Sequence, residues 1–380
     1  MIRLLKNTGK LLLALIVVLA VLIYINPNVK DAHRDKPYLN LVDEISAEAP
    51  AENEIIQRII LFGDAGHATI EPWQASMVKV AERAAISPDK TAIVALGDNI
   101  YMRGYPRKDD GQQDWDEGQL ESISFLDAQL KVAKQSGADL YFVPGNHDWY
   151  ASELDGQAAH IAAYAEQHGV STRFEPYEIG QDPLPESAQL NGATLIFLDS
   201  EWTLVASEEN RKRVLETLDI ELARINKEHP DHLIVVNAHH PLETWGPHGG
   251  HLAEFSYWLI MNTLYLFTEA DAEDTFGEGY AKMIEQLSAV FAKYDNVIYA
   301  AGHDHNLQVM HEPSSGGPDY NIVSGAGNSN KVSGVWHGEN TRFAFSREGF
   351  VELNVTAKGT YFQAFDIDHE GARAGFWLSL

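Results

Sequence analysis

Five short apolar stretches that each end in a polar loop constrain the fold more than any other feature of this sequence. The loop after each stretch contains glycine or proline beside Asp, Asn or His. Such stretches are typical of buried strands, and a loop after a buried strand is where α/β folds place their chemistry. The stretches are residues 59–62, 92–96, 140–143, 233–236 and 296–299, and the loops contain Asp64, Asp98, Asn146, His147, His239, His303 and His305.

Helix-forming segments separate several of these strands. The sequence predicts helices over residues 71–85, 119–135 and 207–227 and a further strand over residues 193–198. Alternating strands and helices indicate an α/β fold with a largely parallel sheet. After residue 307 the pattern changes to short alternating segments between glycine-rich turns, which predicts antiparallel strands at residues 320–323, 350–353 and 361–365.

The first 25 residues differ in composition from the rest of the chain. They contain three basic residues and no acidic one, and residues 11–25 are an unbroken apolar run. A basic segment followed by an apolar one is typical of export signals. Because no small-residue cleavage site follows, we predict that residues 1–25 are an uncleaved membrane anchor, with a cleaved signal peptide as the alternative. The remainder would lie outside the cytoplasm, on the periplasmic or extracellular side, with residues 26–55 as a polar tether and residues 56–380 as one domain.

Charge and cysteine content narrow the range of partners. The formal net charge is −27, so the surface would repel a nucleic acid backbone, and no nucleic acid partner is expected. A small phosphorylated molecule can still bind where metal cations dominate the local field. The chain has no cysteine, so any metal must be held by His, carboxylate, amide or phenolate ligands. Hard oxygen ligands mixed with imidazoles suit zinc, iron or manganese.

The five loops are far more specific as an ordered set than any one of them alone. They read GDAG (residues 63–66), GDNIY (97–101), GNHD (145–148), VNAH (236–239) and GHDH (302–305). In this order they resemble the calcineurin-like metallophosphoesterase superfamily, and within it the purple acid phosphatases of the tartrate-resistant type. The resemblance implies an α/β sandwich of two mixed β-sheets flanked by helices, with the site at the carboxyl ends of the strands.

The resemblance also implies two metal ions and their ligands. Asp64, Tyr101 and His305 would bind the first ion, and Asp98 would bridge both. The second ion would be bound by Asn146, His239 and His303. Two such ions lower the pKa of a bound water and neutralise phosphate charge during an in-line displacement.

Tyr101 is important because a more usual ligand is missing. Most members of the superfamily have a histidine two residues after the first Asp, and that position here is Gly66. A Tyr101 phenolate would fill the gap. Its charge and oxygen donor favour Fe³⁺ at the first site, with Fe²⁺, Zn²⁺ or Mn²⁺ at the second. His67, one residue further on, is the alternative ligand.

Three residues are expected to serve the substrate rather than the metal. By resemblance, His147 and His248 would contact the phosphate or protonate the leaving group, and Asp148 would orient His147. The expected activity is hydrolysis of phosphate monoesters of small molecules, as in acid phosphatases. A phosphodiesterase or nucleotide pyrophosphatase with the same ions is the alternative, and a metal- and phosphate-binding protein without turnover is a third. The apolar segment of residues 255–267 is predicted to be either a buried helix or a flap over the pocket.

Overall fold

The computed structural model of the chain describes residues 33–40, 48–109, 111–151, 153–250, 273–275, 277–313 and 316–380. Within these ranges, two mixed sheets are flanked by helices, so the predicted α/β sandwich is confirmed. The predicted anchor (residues 1–25) and the segment 255–267 lie outside the described residues. In the described part of the chain, no helix is both long and apolar enough to cross a membrane.

In chain order the strands are β1 (Tyr38–Leu39), β2 (Ile55–Phe62), β3 (Thr91–Leu96), β4 (Asp139–Val143), β5 (Thr172–Phe174), β6 (Glu186–Gln189), β7 (Ala193–Phe197), β8 (Leu233–Asn237), β9 (Val297–Ala301), β10 (Leu307–His311), β11 (Tyr320–Ser324), β12 (Thr341–Phe345), β13 (Gly349–Thr356), β14 (Gly359–Asp366) and β15 (Ala374–Trp377). The helices are α1 (Ala75–Ala84), α2 (Glu117–Ser136), α3 (Asn146–Trp149), α4 (Leu154–His168), α5 (Ser200–Val205), α6 (Glu208–Glu228) and α7 (Glu278–Phe291).

Each sheet combines a block of adjacent parallel strands with antiparallel strands. The seven-stranded sheet has the order β15-β14-β13-β2-β3-β4-β5, in which β2 to β5 are parallel. The eight-stranded sheet has the order β1-β12-β10-β11-β9-β8-β7-β6, in which β7, β8, β9 and β11 are parallel. Strands β3 and β8 are buried along their whole length, which explains why they are apolar throughout rather than alternating. The carboxyl ends of these parallel strands carry the five loops.

The core has three layers of apolar contact. Between the sheets, residues such as Leu61 and Val94 face residues such as Leu195 and Val235. Outside the seven-stranded sheet lie α1, α2 and α4, and outside the eight-stranded sheet lie α6 and α7. Helix α2 begins two residues before the predicted start, because Asp116 accepts a hydrogen bond from Gln119 N at 2.9 Å and the Gln119 side chain accepts one from Asp116 N.

Two residues of the predicted tether form a strand. Tyr38 and Leu39 lie within residues 26–55, yet they form β1 and pair with Ala344 and Phe343 of β12. A strand of two residues is too short to show an alternation of apolar and polar residues, so the sequence did not predict β1. The predicted helix over residues 71–85 is also shorter, because the chain first makes a turn in which Gln74 N donates to Thr69 O at 2.9 Å.

Candidate metal centre

The predicted ligands all lie where the carboxyl ends of the two sheets meet. Asp64, Asp98 and Asn146 follow β2, β3 and β4 of one sheet, whereas the ligand histidines follow β8 and β9 of the other. Asp64, Asp98 and His303 adopt left-handed backbone angles, with φ of 59°, 53° and 65°. Non-glycine residues adopt this region rarely, and such residues concentrate at functional sites. His303 N donates to Asp64 Oδ2 at 2.8 Å and thereby joins the two sheets at this point.

The first group of donors consists of Asp64, Tyr101 and His305. Tyr101 Oη is 3.0 Å from Asp64 Oδ1 and 3.1 Å from His305 Nε2, and the latter two atoms are 3.3 Å apart. A carboxylate oxygen of Asp98 lies within 4.8 Å of the ligand atoms of Asp64 and His305. The structure thus brings together the four residues predicted for the first ion, with Tyr101 among them.

The second group consists of Asn146, His239 and His303. His239 Nε2 is 3.0 Å from Asn146 Oδ1, 3.2 Å from His303 Nδ1 and 3.4 Å from Asp98 Oδ1. Asp98 therefore contacts both groups, which is the position that a bridging ligand requires. The structure brings all seven predicted ligands together in two adjoining sets.

In the second group, the lone pairs of His239, His303 and Asn146 point toward one another. The hydrogen bonds that each side chain makes with its other polar atom indicate this. His239 Nδ1 lies 2.8 Å from Leu96 O, and His303 Nε2 lies 2.8 Å from Glu273 O. Because a carbonyl oxygen only accepts, those nitrogens carry the hydrogens, and in the neutral imidazoles that bind metal His239 Nε2 and His303 Nδ1 are left as acceptors. Asn146 Nδ2 donates to Tyr150 Oη at 3.0 Å, which turns the Asn146 Oδ1 acceptor toward the same point.

Converging acceptors repel unless a cation lies among them, so the donor set itself fits a metal ion. Ligand atoms about 2.0–2.1 Å from one ion are roughly 3.0–3.4 Å apart in octahedral or tetrahedral geometry. The separations in both groups, from 3.0 to 3.4 Å, fall in this range. Imidazole, carboxylate, amide and phenol donors suit zinc, iron or manganese.

Electrostatics acts differently on the protonation of Asp98 and of Tyr101. Burial acts to raise the pKa of Asp98, but His239, His147 and His305 outweigh burial and hold that pKa below its usual value. Asp98 is therefore ready to bind as a carboxylate. Burial, followed by the charges of Asp64 and Asp98, raises the pKa of Tyr101 well above its usual value. The Tyr101 hydroxyl thus keeps its proton until a cation replaces it.

Two glycines allow the loops to approach this closely. A Cβ at Gly66 would lie 2.6 Å from Tyr101 N, and a Cβ at Gly145 would lie 2.3 Å from Asp98 N. Any side chain at position 66 would displace the loop that carries Tyr101. A histidine at position 66 is therefore incompatible with the position of the loop that places Tyr101 among the donors.

The two predicted substrate histidines flank the donor groups. His147 Nδ1 donates to Met102 O at 2.7 Å, and its Nε2 is 3.8 Å from Asp98 Oδ2. The His248 ring lies 4.0 Å from the His303 ring, centre to centre, and its Nδ1 is 2.8 Å from Asp274 Oδ1. Burial acts to lower the pKa of His248, but the Asp274 hydrogen bond and neighbouring carboxylates raise it to about 9.

The expectation that Asp148 orients His147 is wrong. The fully buried Asp148 carboxylate accepts hydrogen bonds from Gly145 N at 2.8 Å, Asn99 Nδ2 at 3.0 Å and Gln157 Nε2 at 3.2 Å. Burial, together with the charge of Asp98, raises the pKa of Asp148 to about 7. Asp148 therefore links the GDNIY loop to the GNHD loop. The group that orients His147 is Met102 O, not Asp148.

His67 does not join the first group of donors. Its ring packs against Tyr101 and Phe125, with centroids 5.0 Å and 5.2 Å away. The side chain that reaches Asp64 and His305 is Tyr101, which favours Tyr101 over His67 as the ligand.

Some residues that support the site were missed. Tyr150 lies four residues after Asn146, one helical turn away, so the pairing was readable from spacing. Glu273 and Asp274 hold His303 and His248 but lie about 25 residues from the nearest of these histidines in sequence, and no local pattern connects them.

Comparison with known proteins agrees with the fold. A family model described as calcineurin-like phosphoesterase matches residues 57–307. This range includes all five loops and more than half of the chain. A two-sheet sandwich with a dinuclear metal site between the strand ends defines this class of protein, and the chain belongs to the calcineurin-like phosphoesterase family.

Two solved structures match this chain. GAP50, the anchor in the inner membrane complex of Plasmodium, is 16% identical, with 85% of this chain and 89% of that chain covered and a TM-score of 0.52. At this identity the likeness shows the fold alone. A protein of unknown function from Aquifex aeolicus, AQ665, is 10% identical, with coverage of 48% and 80% and a TM-score of 0.23. No curated protein matches this chain in sequence.

Proposed function

We propose that this protein hydrolyses phosphate monoesters of small molecules with a dinuclear metal centre, in the manner of acid phosphatases. The observation that carries the proposal is the set of lone pairs that converge in the second group, with Asp98 shared between both groups. When bound, two metal ions would supply an activated water and neutralise charge on the phosphate. We also propose that, within its family, the chain is most similar to the purple acid phosphatases.

The side chains around the centre have complementary tasks in this scheme. His147 is held through Nδ1 by Met102 O, so its Nε2 faces the side of Asp98 where the substrate would lie. It is suited to protonate the leaving alkoxide. With a pKa of about 9, His248 is a cation at neutral pH and is suited to bind a phosphate oxygen.

We propose Fe³⁺ at the Tyr101 site and Fe²⁺, Zn²⁺ or Mn²⁺ at the other. The first group offers two carboxylates, a phenol and one imidazole, and the second offers an amide and two imidazoles beside the shared Asp98. A phenolate oxygen favours a hard trivalent ion, whereas imidazoles suit softer divalent ions.

Paired substrates test the reaction type. The metal-loaded full chain would be assayed with p-nitrophenyl phosphate and with bis-p-nitrophenyl phosphate, and kcat/KM compared. The proposal expects the monoester to be preferred by at least about tenfold, a factor equal to about 1.4 kcal/mol of transition-state binding. A preference for the diester would support the phosphodiesterase alternative. Hydrolysis of neither, with two ions bound, would favour a binding protein without turnover.

Export and membrane tethering by residues 1–25 are part of the same proposal. They rest on the basic segment and apolar run at the start of the chain. Fractionation of cells that express the full chain, beside a variant without residues 1–25, would test them. Recovery of both proteins in the soluble cytoplasmic fraction would contradict the tether.

A further inference from the structure

Lys331 is a cation at the rim of the metal centre. It ends a short 3-10 helix (Ser329–Lys331) after β11, and its Nζ lies 4.0 Å from the centre of the Tyr101 ring. Its other described polar contact is with Met102 Sδ at 3.8 Å, and a thioether carries no charge. Among the described residues, no carboxylate lies within ion-pair distance of Lys331.

The loop that carries Lys331 is attached to the metal-binding loop. Ser333 N donates to His305 O at 2.8 Å, and Asn306 Nδ2 donates to Ser333 Oγ at 3.1 Å. Lys331 is therefore held in a fixed place relative to His305, with one aromatic ring between its ammonium group and the first group of donors. Its flexible four-carbon stem lets the ammonium group reach into the space above that ring.

The opposite rim of the centre is acidic. Glu273 and Asp274 lie beside His303 and His248, and Glu201 lies 3.7 Å from His240 on the same side. In a protein of net charge −27, a lysine that has no carboxylate partner among the described residues is expected to attract anions at the mouth of a phosphate site. Lys331 therefore lies on the Tyr101 side of the centre, whereas these carboxylates lie on the His303 side.

We propose that Lys331 binds a second anionic group of the substrate. The preferred substrates would be phosphate monoesters whose alcohol portion carries a carboxylate or another phosphate. Cation–π contact with Tyr101 holds the ammonium group in place without neutralising it, so it remains available to the ligand. This inference rests on the proposed function, because it assigns a substrate class to that same centre.

A matched pair of phosphonates tests the proposal without turnover. Propylphosphonate and 3-phosphonopropionate differ only in that a carboxylate replaces a methyl group. Their dissociation constants would be measured by calorimetry with the metal-loaded full chain, with Lys331→Gln and with Lys331→Arg. Lys227→Gln, an exposed position on α6, is the control.

Wild type is expected to bind 3-phosphonopropionate about 10- to 100-fold more tightly, as for a hydrogen bond between charged groups. Lys331→Gln should reduce this preference to less than about threefold, whereas Lys331→Arg and Lys227→Gln should keep it. The proposal is overturned if wild type shows no preference, or if Lys331→Gln keeps it. Equal weakening of both ligands would also overturn it, because Lys331 would then act on the phosphonate or through Tyr101.

Turnover of a second matched pair separates this inference from the proposed function. In 3-phosphoglycerate a carboxylate replaces the terminal hydroxymethyl group of glycerol 3-phosphate. If both are hydrolysed, kcat/KM should show the same dependence on Lys331 as binding does. If neither is hydrolysed but the phosphonate preference depends on Lys331, the proposed function fails and the assignment of Lys331 stands.

Discussion

Asn146 and His147 are neighbours in the chain but have different surroundings. Asn146 Oδ1 faces His239 Nε2 at 3.0 Å inside the second donor group, whereas His147 Nε2 lies 3.8 Å from Asp98 Oδ2. We therefore expect His147→Ala to keep both ions and to lose about 10²–10⁴-fold in kcat, as for a general acid. Metal analysis beside steady-state kinetics measures both effects.

Asn146→Ala serves as the comparison for that variant, because it removes a donor and should lose metal as well as rate. If His147→Ala loses as much metal as Asn146→Ala does, the assignment of Asn146 to metal binding and of His147 to the substrate is wrong.

Tyr101 offers a spectroscopic prediction. If its phenolate binds Fe³⁺, the iron-loaded protein should absorb in the visible through phenolate-to-iron charge transfer, and Tyr101→Phe should lose the band while it retains iron. Phenylalanine keeps the ring under Lys331, so only the oxygen is removed. A colourless wild type that holds one equivalent of ferric iron would contradict the assignment, and His67→Ala would then be examined.

At the residue scale, the sequence was informative where a motif fixes both residue type and spacing. The seven predicted ligands could be named because the five ordered loops that carry them resemble those of a known family, and each loop follows a predicted strand. Asp148 was misread because sequence adjacency to His147 does not reveal that its side chain turns toward Asn99 and Gln157. Asp274 and Lys331 were out of reach because only tertiary folding brings them to the centre.

At the scale of elements, two edge strands bring like charges together. Glu175 directly follows β5, the edge of one sheet, and Glu186 begins β6, the edge of the other. Burial, and then the charge of Glu186, raises the pKa of Glu175 to about 7. Because the folded pKa exceeds the ordinary value of 4.5, the folded state binds more protons between these values, and stability falls as pH rises through this window.

We therefore expect Glu175→Gln to raise the free energy of unfolding at pH 8 by about 1–2 kcal/mol and to change it little at pH 4. Urea unfolding at both pH values measures the difference. Glu216→Gln, on the exposed face of α6 and paired with Lys212 at 3.5 Å, is the control and should change stability by less than about 1 kcal/mol at either pH. An equal effect of Glu175→Gln at pH 4 and pH 8 would refute the charge explanation.

Elements with strong periodicity were predictable, and weakly patterned ones were not. The parallel strands β3, β4, β7, β8 and β9 were predicted because burial on both faces makes them nearly continuously apolar. Helix α4 was not predicted, because only Leu154, Gln157 and Ile161 are buried and three residues are too few for a clear helical pattern. Strand β1 escaped because its two residues are recognisable only from their pairing with β12.

At the scale of the whole molecule, the metal centre joins the two sheets. Asp64, Asp98 and Asn146 come from one sheet and His239 and His303 from the other, so bound ions would link both halves of the sandwich. Because the unfolded chain lacks this arrangement, metal binding should stabilise the folded state. We expect chelation to lower the melting temperature by at least about 3 °C, with recovery when metal is returned. An unchanged melting temperature would contradict the link.

The most direct test of the account replaces the one residue that both donor groups share. Asp98→Asn keeps size and hydrogen bonding but removes the charge that a bridging ligand needs. Metal content and p-nitrophenyl phosphate hydrolysis would be measured for wild type and variant, loaded under the same conditions. We expect Asp98→Asn to lose at least one equivalent of metal and about 10³-fold or more in kcat/KM. Metal content and turnover within twofold of wild type would contradict a dinuclear centre bridged by Asp98.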